Sequence, residues 1–258
     1  MDGADELRVY WQPGCTSCLP TRELLRSHGV PFVSINVLED PQALAQLRAL
    51  GVRAVPVIAH GGRFVLGQDL AEVARFVGIA HEHRRLPPAE LVARLEALLE
   101  RARRLVALIP AQRLGDTLPG RPRRHADLAF HVGMIVQALL DAARGGVLEF
   151  EYFERRAPAG ADDPAALAAG LARRRDALAD WWRRSPPSSD ALLRTYYGER
   201  PLHEVLERSA WHVAQHLRQL DFIVAEVLAV PEAPRLQPAE LAGLPLPRDV
   251  WDPEIRFA

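Results

Sequence analysis

Lysine is absent from this sequence of 258 residues, and all 32 basic side chains are arginines. A chain without lysine cannot form a Schiff base, hold pyridoxal phosphate, or complete a P-loop or a kinase active site. An excess of one charge is absent as well, because 33 acidic residues leave a net charge of −1. This balance argues against a nucleic acid or an anionic membrane surface as a partner.

Cysteine is scarce, and long apolar runs are missing. The two cysteines, Cys15 and Cys18, lie too close in sequence to staple a fold, which excludes a secreted disulfide framework. No apolar run approaches the ~20 residues that span a bilayer. Residues 1–6 are acidic and lack the features of a signal peptide. We therefore expect a cytoplasmic protein with no membrane association.

The first part of the chain alternates between short strands and short helices. Strand patterns occur at 7–11 and 32–37, and Asp40-Pro41 begins a helix with a cap residue and a proline. A hairpin is expected over 56–65, followed by a last helix from Asp69 to about Val77. This order predicts a small α/β domain.

Beyond Gly78 we expect no strands and four long helices. Apolar residues recur there at spacings of three and four, which places each set on one helical face. The pattern predicts a four-helix bundle with a long connection between its second and third helices. The expected organisation is a domain over 1–80, a linker over 81–88, the bundle over 89–230, and a proline-rich tail over 231–258 packed on the bundle.

The cysteine pair lies between a strand and the start of a helix, in Tyr10-Trp11-Gln12-Pro13-Gly14-Cys15-Thr16-Ser17-Cys18. Free N–H groups and the positive end of the helix dipole stabilise a thiolate there, which lowers the pKa of Cys15. Cys15 is then the nucleophile that attacks a disulfide, and Cys18 resolves the mixed disulfide. The alternative is half of a zinc site, although the sequence offers no second C-x-x-C and no histidine at a short fixed spacing.

The first 78 residues resemble the glutaredoxin family. The resemblance rests on Tyr-x-x-Pro-Gly-Cys-x-x-Cys at 10–18, on Arg22, and on Ala54-Val55-Pro56 before the hairpin. It implies a thioredoxin fold in which Pro56 is cis and faces the cysteines, and in which the backbone of Val55 binds the thiol substrate as an added strand. The positions that it implies for binding a small thiol such as glutathione are Gln12, Arg22, Val55, Gly67 and Asp69.

Two departures from the glutaredoxin pattern concern the identity of that thiol. Gln12 stands where many glutaredoxins have a lysine that holds a glutathione carboxylate. Ser17 replaces the usual aromatic residue between the cysteines. The alternative to glutathione is therefore a redoxin that another enzyme reduces.

Three of the nine histidines fall on apolar stripes that face the predicted bundle core. They are His131 on the second helix, and His212 and His216, spaced i, i+4, on the fourth. By spacing alone they are either core histidines with hydrogen-bond partners or ligands of one divalent cation at ~2.1 Å. The fourth helix lacks H-E-x-x-H, so the general base of zinc proteases is absent.

Residues of about 86–250 resemble the DinB superfamily of four-helix bundles. The resemblance rests on the helix pattern, on His131 after Asp127-Leu128-Ala129-Phe130, and on Trp211-His212-x-x-x-His216. It implies that His131, His212 and His216 bind a divalent metal (zinc, nickel or iron) and leave one coordination position open. It also implies a thiol-dependent transferase or isomerase in which the metal activates the thiolate of a small thiol.

Together these features predict a thiol–disulfide oxidoreductase joined to a metal-dependent thiol enzyme. The expected partners are a small thiol or protein disulfide substrate, a thiol reductant or reductase, and a second copy of the chain through the bundle. Two alternatives stay open. One is an electron-donor redoxin whose bundle only docks a client protein, and the other is a redox- or metal-responsive regulator.

Overall fold

The computed structural model describes residues 6–119, 121–158, 163–184, 188–231 and 233–252. The chain forms two compact units. The first unit combines the residues up to His83 with those from Pro247, and the second unit is Arg84–Leu246. The tail 231–258 is expected to pack on the bundle, but its residues 247–252 belong to the first unit. We call residues 247–252 the C-terminal segment.

A four-stranded mixed sheet forms the centre of the first unit. Its strands are β1 (Arg8–Trp11), β2 (Val33–Asn36), β3 (Val57–His60) and β4 (Arg63–Leu66). They lie in the order β2-β1-β3-β4, with β1 parallel to β2 and the other two pairs antiparallel. The predicted strands and hairpin are confirmed, and the arrangement is that of a thioredoxin-like α/β domain.

Three helices cover the sheet: α1 (Cys18–Ser27), α2 (Pro41–Ala49) and α3 (Leu70–Val77). The predicted start of α2 is confirmed, because the Asp40 carboxylate accepts from the N–H of Gln42 at 2.8 Å and Pro41 is the first helical residue. Asp69 caps α3 in the same way, accepting from Ala71 at 2.7 Å.

The period of two along each strand divides the core into two faces. Val9 and Ile58 pack with residues of α1 and α3, including Leu25. The next residue of β1, Tyr10, faces the opposite side and packs with Leu47 of α2. The helices therefore lie on both sides of the sheet, with the loop that carries the cysteines at the end of β1.

Four long helices build the second unit: α4 (Pro88–Ala107), α5 (His125–Ala143), α6 (Pro164–Arg184) and α7 (Leu202–Phe222). A π-helical turn, Ile223–Val227, extends α7, and α8 (Pro238–Leu241) is short. Both α4 and α5 pack against α6 and α7. α5 has the length and apolar composition of a membrane span, but 78% of that window is buried inside the second unit, as befits a core helix.

A β-hairpin interrupts the helices of the second unit, so the expectation of no strands beyond Gly78 is wrong. Its strands are β5 (Leu192–Thr195) and β6 (Gly198–Pro201). Two backbone hydrogen bonds to Leu148 hold the hairpin in place. The N–H of Leu148 donates to the carbonyl of Arg194, and the carbonyl of Leu148 accepts from the N–H of Tyr196, both at 2.9 Å. Tertiary pairing of this kind is invisible to local sequence patterns.

Candidate functional site

Cys15 and Cys18 form a disulfide in the loop that leads from β1 into α1, with their Cα atoms 5.3 Å apart. Cys18 is the first residue of α1 and is fully buried, whereas Cys15 is partly exposed. The Cys15 N–H donates to the carbonyl of Gln12 at 3.3 Å, which closes the loop. Cys15 is therefore the sulfur that an external thiol or disulfide can reach.

The first turn of α1 is suited to a negative charge at Cys15. Ser17, the residue that precedes the helix, makes no side-chain hydrogen bond to the first turn. That turn also contains no acidic residue. No carboxylate of the same turn therefore occupies its free N–H groups or cancels the positive end of the helix dipole.

The loop opposite the disulfide contains the cis peptide bond Val55–Pro56, as the glutaredoxin resemblance implies. The Cys15 sulfur lies 3.6 Å from the carbonyl oxygen of Val55. Gln68, which the sequence analysis did not identify, donates to the same oxygen at 3.3 Å and is 6% exposed. Gly67, in the loop after β4, donates its N–H to the carbonyl of Pro56 at 2.9 Å. This bond links the loop after β4 to the cis-proline loop.

Arg22 is fully buried and binds a residue of the C-terminal segment. Its guanidinium donates to a carboxylate oxygen of Asp252 at 2.5 Å and lies over the Trp11 ring, 3.7 Å from the ring centre. The other oxygen of Asp252 accepts from the N–H of Gly14 at 3.3 Å. The backbone N–H groups of Arg248 and Asp249 donate to Glu23 on α1. The arginine that the resemblance assigns to a small thiol thus has an internal carboxylate partner.

Three histidines lie together inside the second unit. His131 comes from α5, and His212 and His216 come from α7. Their ligand nitrogens all lie within 4.8 Å of one another, and the Nε2 atoms of His131 and His212 are 3.3 Å apart. Two nitrogens bound tetrahedrally to one zinc at 2.0–2.1 Å would be about 3.3–3.4 Å apart. The three rings could therefore hold one cation without moving far.

Burial keeps these three imidazoles neutral. It lowers the pKa of His131 and of His212 well below the ordinary value, and it lowers that of His216 to about 3. The charge of Arg123 acts in the same direction on His131 and His216. A neutral imidazole has a free nitrogen lone pair, which is the form that binds a metal.

Hydrogen bonding adds to the fit with a metal. Nδ1 of His216 donates to the side-chain oxygen of Gln219 at 2.8 Å, which leaves its Nε2 unprotonated. Nδ1 of His212, the ring nitrogen that does not face His131, is buried without a hydrogen-bond partner. His216 therefore has the hydrogen bond that is typical of a metal ligand, whereas His212 does not. No acidic residue joins the cluster within the described ranges.

Comparison with known proteins concerns the first unit. The glutaredoxin family model matches residues 7–65. The "uncharacterized glutaredoxin-like 8.6 kDa protein in rubredoxin operon" of Clostridium pasteurianum is 32% identical over 72 residues, which are 28% of this chain and 96% of that protein. This chain belongs to the glutaredoxin family. We call its first unit the glutaredoxin unit from here on.

Two further relatives match parts of the glutaredoxin unit. The glutaredoxin-like protein NrdH of Escherichia coli strain K12 is 34% identical over 55 residues, 21% of this chain and 68% of that protein. The global transcriptional regulator Spx 1 of Lactococcus lactis subsp. lactis is 48% identical over 40 residues, 16% of this chain and 31% of that protein. No solved structure matches the chain.

The other positions predicted to bind a small thiol make different contacts in the glutaredoxin unit. Gln12 is partly buried in the cysteine loop, and its carbonyl accepts from Cys15. Asp69 caps α3 through its side chain. Gln12 and Val55 thus contact Cys15, Gly67 contacts the cis-proline, and Asp69 caps α3. Asp252 and Gln68 are the contacts that the sequence analysis missed. Gln68 follows Gly67 directly, so its position beside the cis-proline loop was the available signal.

Proposed function

We propose that this protein is a thiol–disulfide oxidoreductase whose helical unit binds a divalent metal and acts on a low-molecular-weight thiol. The observation that carries the redox part is the partly exposed Cys15, bonded to a buried Cys18 and facing the carbonyl of Val55 before the cis-proline. The three-histidine cluster supports the metal part. Because cytosolic reductants keep such dithiols active, we place the protein in the cytoplasm.

The redox reaction starts from the reduced protein, in which Cys15 is a thiolate. This thiolate attacks one sulfur of a small or protein disulfide, so that a mixed disulfide forms and the first substrate thiolate leaves. The Cys18 thiolate then attacks the Cys15 sulfur, which forms the internal disulfide and releases the second substrate thiolate. A thiol reductant such as glutathione, or a reductase, returns two electrons and restores the dithiol.

For the helical unit, we propose a DinB-like metal centre with His131, His212 and His216 as ligands. A zinc, nickel or iron ion bound there would stabilise the thiolate of a small thiol at neutral pH, which is the reactive form in a transferase or isomerase. The burial of the rings and the hydrogen bond from His216 Nδ1 to Gln219, which leaves Nε2 of His216 free to bind a metal, support this assignment. Four long helices around the cluster support the likeness to the DinB superfamily.

Cysteine variants test the redox part. Cys15→Ser should abolish reduction of a small disulfide in coupled assays with either glutathione or a thioredoxin-reductase-type donor, because it removes the attacking sulfur. Cys18→Ser should instead trap the mixed disulfide, which mass spectrometry detects as a covalent adduct. Retained turnover in Cys15→Ser would contradict the assignment of the nucleophile.

Metal analysis of the purified protein tests the helical part. His131→Ala and His212→Ala should each lower the bound metal at least ~10-fold, because two imidazoles do not make a stable site. His125→Ala is the matched control, since His125 is also buried on α5 but bonds to the carbonyl of Arg113 at 3.0 Å. Metal content that is the same in all three variants and the wild type would rule out the site.

A redox-responsive regulator is the second candidate. The match to a relative named as a global transcriptional regulator favours it. A regulator would cycle between disulfide and dithiol without sustained turnover. Steady-state disulfide reduction over many turnovers supports the enzyme, whereas a single stoichiometric oxidation with no turnover supports the regulator.

A further inference from the structure

Arg208 carries a buried positive charge that no acidic side chain of the described residues neutralises. It lies on α7, one turn before His212, and is only 6% exposed. One terminal nitrogen donates to the Tyr196 hydroxyl at 2.9 Å, and the Nε–H has no hydrogen-bond partner. Its neighbour Glu207, by contrast, pairs with Arg85 at 2.9 Å. Because an unpaired buried charge is strongly unfavourable, this guanidinium points to an anionic ligand.

Aromatic rings connect this guanidinium to the histidines. Its central carbon lies 5.6 Å from the ring centre of Phe153, which lies 5.3 Å from that of His212 and 5.8 Å from that of His131. It lies 5.1 Å from the ring centre of Tyr197, whose pKa burial raises to about 12. Tyr197 is therefore neutral at physiological pH and supplies no negative charge to the site.

The charge balance of the three-histidine cluster also favours an anion. Three neutral imidazoles leave both positive charges of a divalent cation uncompensated, and the charges of Arg208 and Arg123 add to them. We propose that Arg208 binds the carboxylate of the small thiol whose thiolate reaches the metal, so that the substrate class is a carboxylate-bearing thiol. This inference rests on the proposed metal site. The thiolate and the carboxylate together would offset two of these positive charges.

A carboxylate suits this position better than a phosphate does. The guanidinium presents planar pairs of N–H groups that match the two oxygens of a carboxylate. Its surroundings are the rings of Phe153, Tyr196 and Tyr197, which offer few donors for the additional oxygens and charge of a phosphate. The rings also exclude water, and a low local dielectric strengthens the ion pair.

The test compares two thiols that differ in the carboxylate, on the full-length protein loaded with cobalt(II). The visible spectrum of cobalt reports metal binding, and the near-ultraviolet thiolate band reports coordination of the thiol. We expect 3-mercaptopropionate to bind about 10- to 100-fold more tightly than 2-mercaptoethanol, the range of a charge-assisted hydrogen bond. In Arg208→Gln this preference should disappear, while the cobalt spectrum and the affinity for 2-mercaptoethanol stay unchanged.

Two further variants complete the test. Arg218→Gln is the matched control, since Arg218 lies on the same helix and donates to Gln215 at 2.9 Å, and it should keep the preference. Tyr196→Phe keeps the arginine but removes the hydroxyl that it contacts. It should reduce the preference about threefold to tenfold, which tests the inference even if Arg208→Gln does not fold.

The outcomes separate this inference from the function on which it rests. Equal affinities for the two thiols in the wild type, or an undiminished preference in every Arg208 and Tyr196 variant that folds, would overturn the anion site alone. Absence of the cobalt spectrum would overturn the proposed metal site, and this inference with it.

Discussion

Asp252→Asn removes the charge that faces Arg22 and keeps the size and one acceptor oxygen of the side chain. Arg22 is fully buried, so the variant removes a carboxylate charge from beside a guanidinium that water does not reach. Breaking a buried pair costs about 3–5 kcal/mol. The hydrogen bond that Asn retains and the contact of Arg22 with Trp11 reduce the expected loss to about 2–3 kcal/mol, at or just below the lower limit of that range. For a domain of this size that loss corresponds to a fall of about 8–24 °C in Tm.

Amide hydrogen exchange on peptides from β1 and α1 measures this loss locally in the oxidised protein. The slowest amides should exchange about 30- to 150-fold faster in Asp252→Asn, the ratio that corresponds to about 2–3 kcal/mol. Asp249→Asn is the control, because Asp249 is exposed and binds Glu23 through its backbone N–H. Exchange in Asp252→Asn within threefold of the wild type, or an equal effect of the control, would refute the reasoning.

Two other substitutions test the packing and the charge network. Gly67→Ala should destabilise the glutaredoxin unit by about 1–3 kcal/mol in thermal unfolding, because the added Cβ would lie 2.5 Å from Pro56. The control is Gly115→Ala, which should be nearly neutral because Gly115 is exposed and has open space around it. Hydrogen bonding from neighbouring arginines, Arg103 first, lowers the pKa of Glu100 to about 2 from 4.5, so its stabilising effect is present above pH 4.5 and is lost as the pH falls toward 2. Urea unfolding should show Glu100→Gln about 1–2 kcal/mol less stable at pH 7, with most of the difference gone at pH 2. The exposed control Glu90→Gln should show little at either pH.

Local sequence rules predicted most of the glutaredoxin unit. Asp40 with Pro41 and Asp69 determine where two helices begin, since a cap acts on N–H groups two or three residues away. The strand–turn–helix context of the cysteines is equally local. The histidine cluster was predictable from helical spacing, because His212 and His216 share one face of α7 and His131 lies on the inward stripe of α5.

Contacts between distant residues were not predictable. Arg22 and Asp252 are 230 positions apart, and neither residue type signals a partner at that distance. The β5–β6 hairpin depends on its pairing with Leu148 rather than on its own strand propensity. The unneutralised charge of Arg208 could not be read from α7 either, because its acidic neighbour Glu207 pairs with Arg85 instead.

The return of the C-terminal segment to the glutaredoxin unit makes that unit dependent on the order of protein synthesis. Arg22 is translated 230 residues before Asp252, an interval of about 10–50 s at ordinary elongation rates. During that interval the Arg22 guanidinium of the nascent CxxC helix has no Asp252 carboxylate to pair with. A truncated or clipped chain that ends before residue 247 would keep both cysteines but lack this ion pair, and the lower stability of its glutaredoxin unit would expose it to proteolysis.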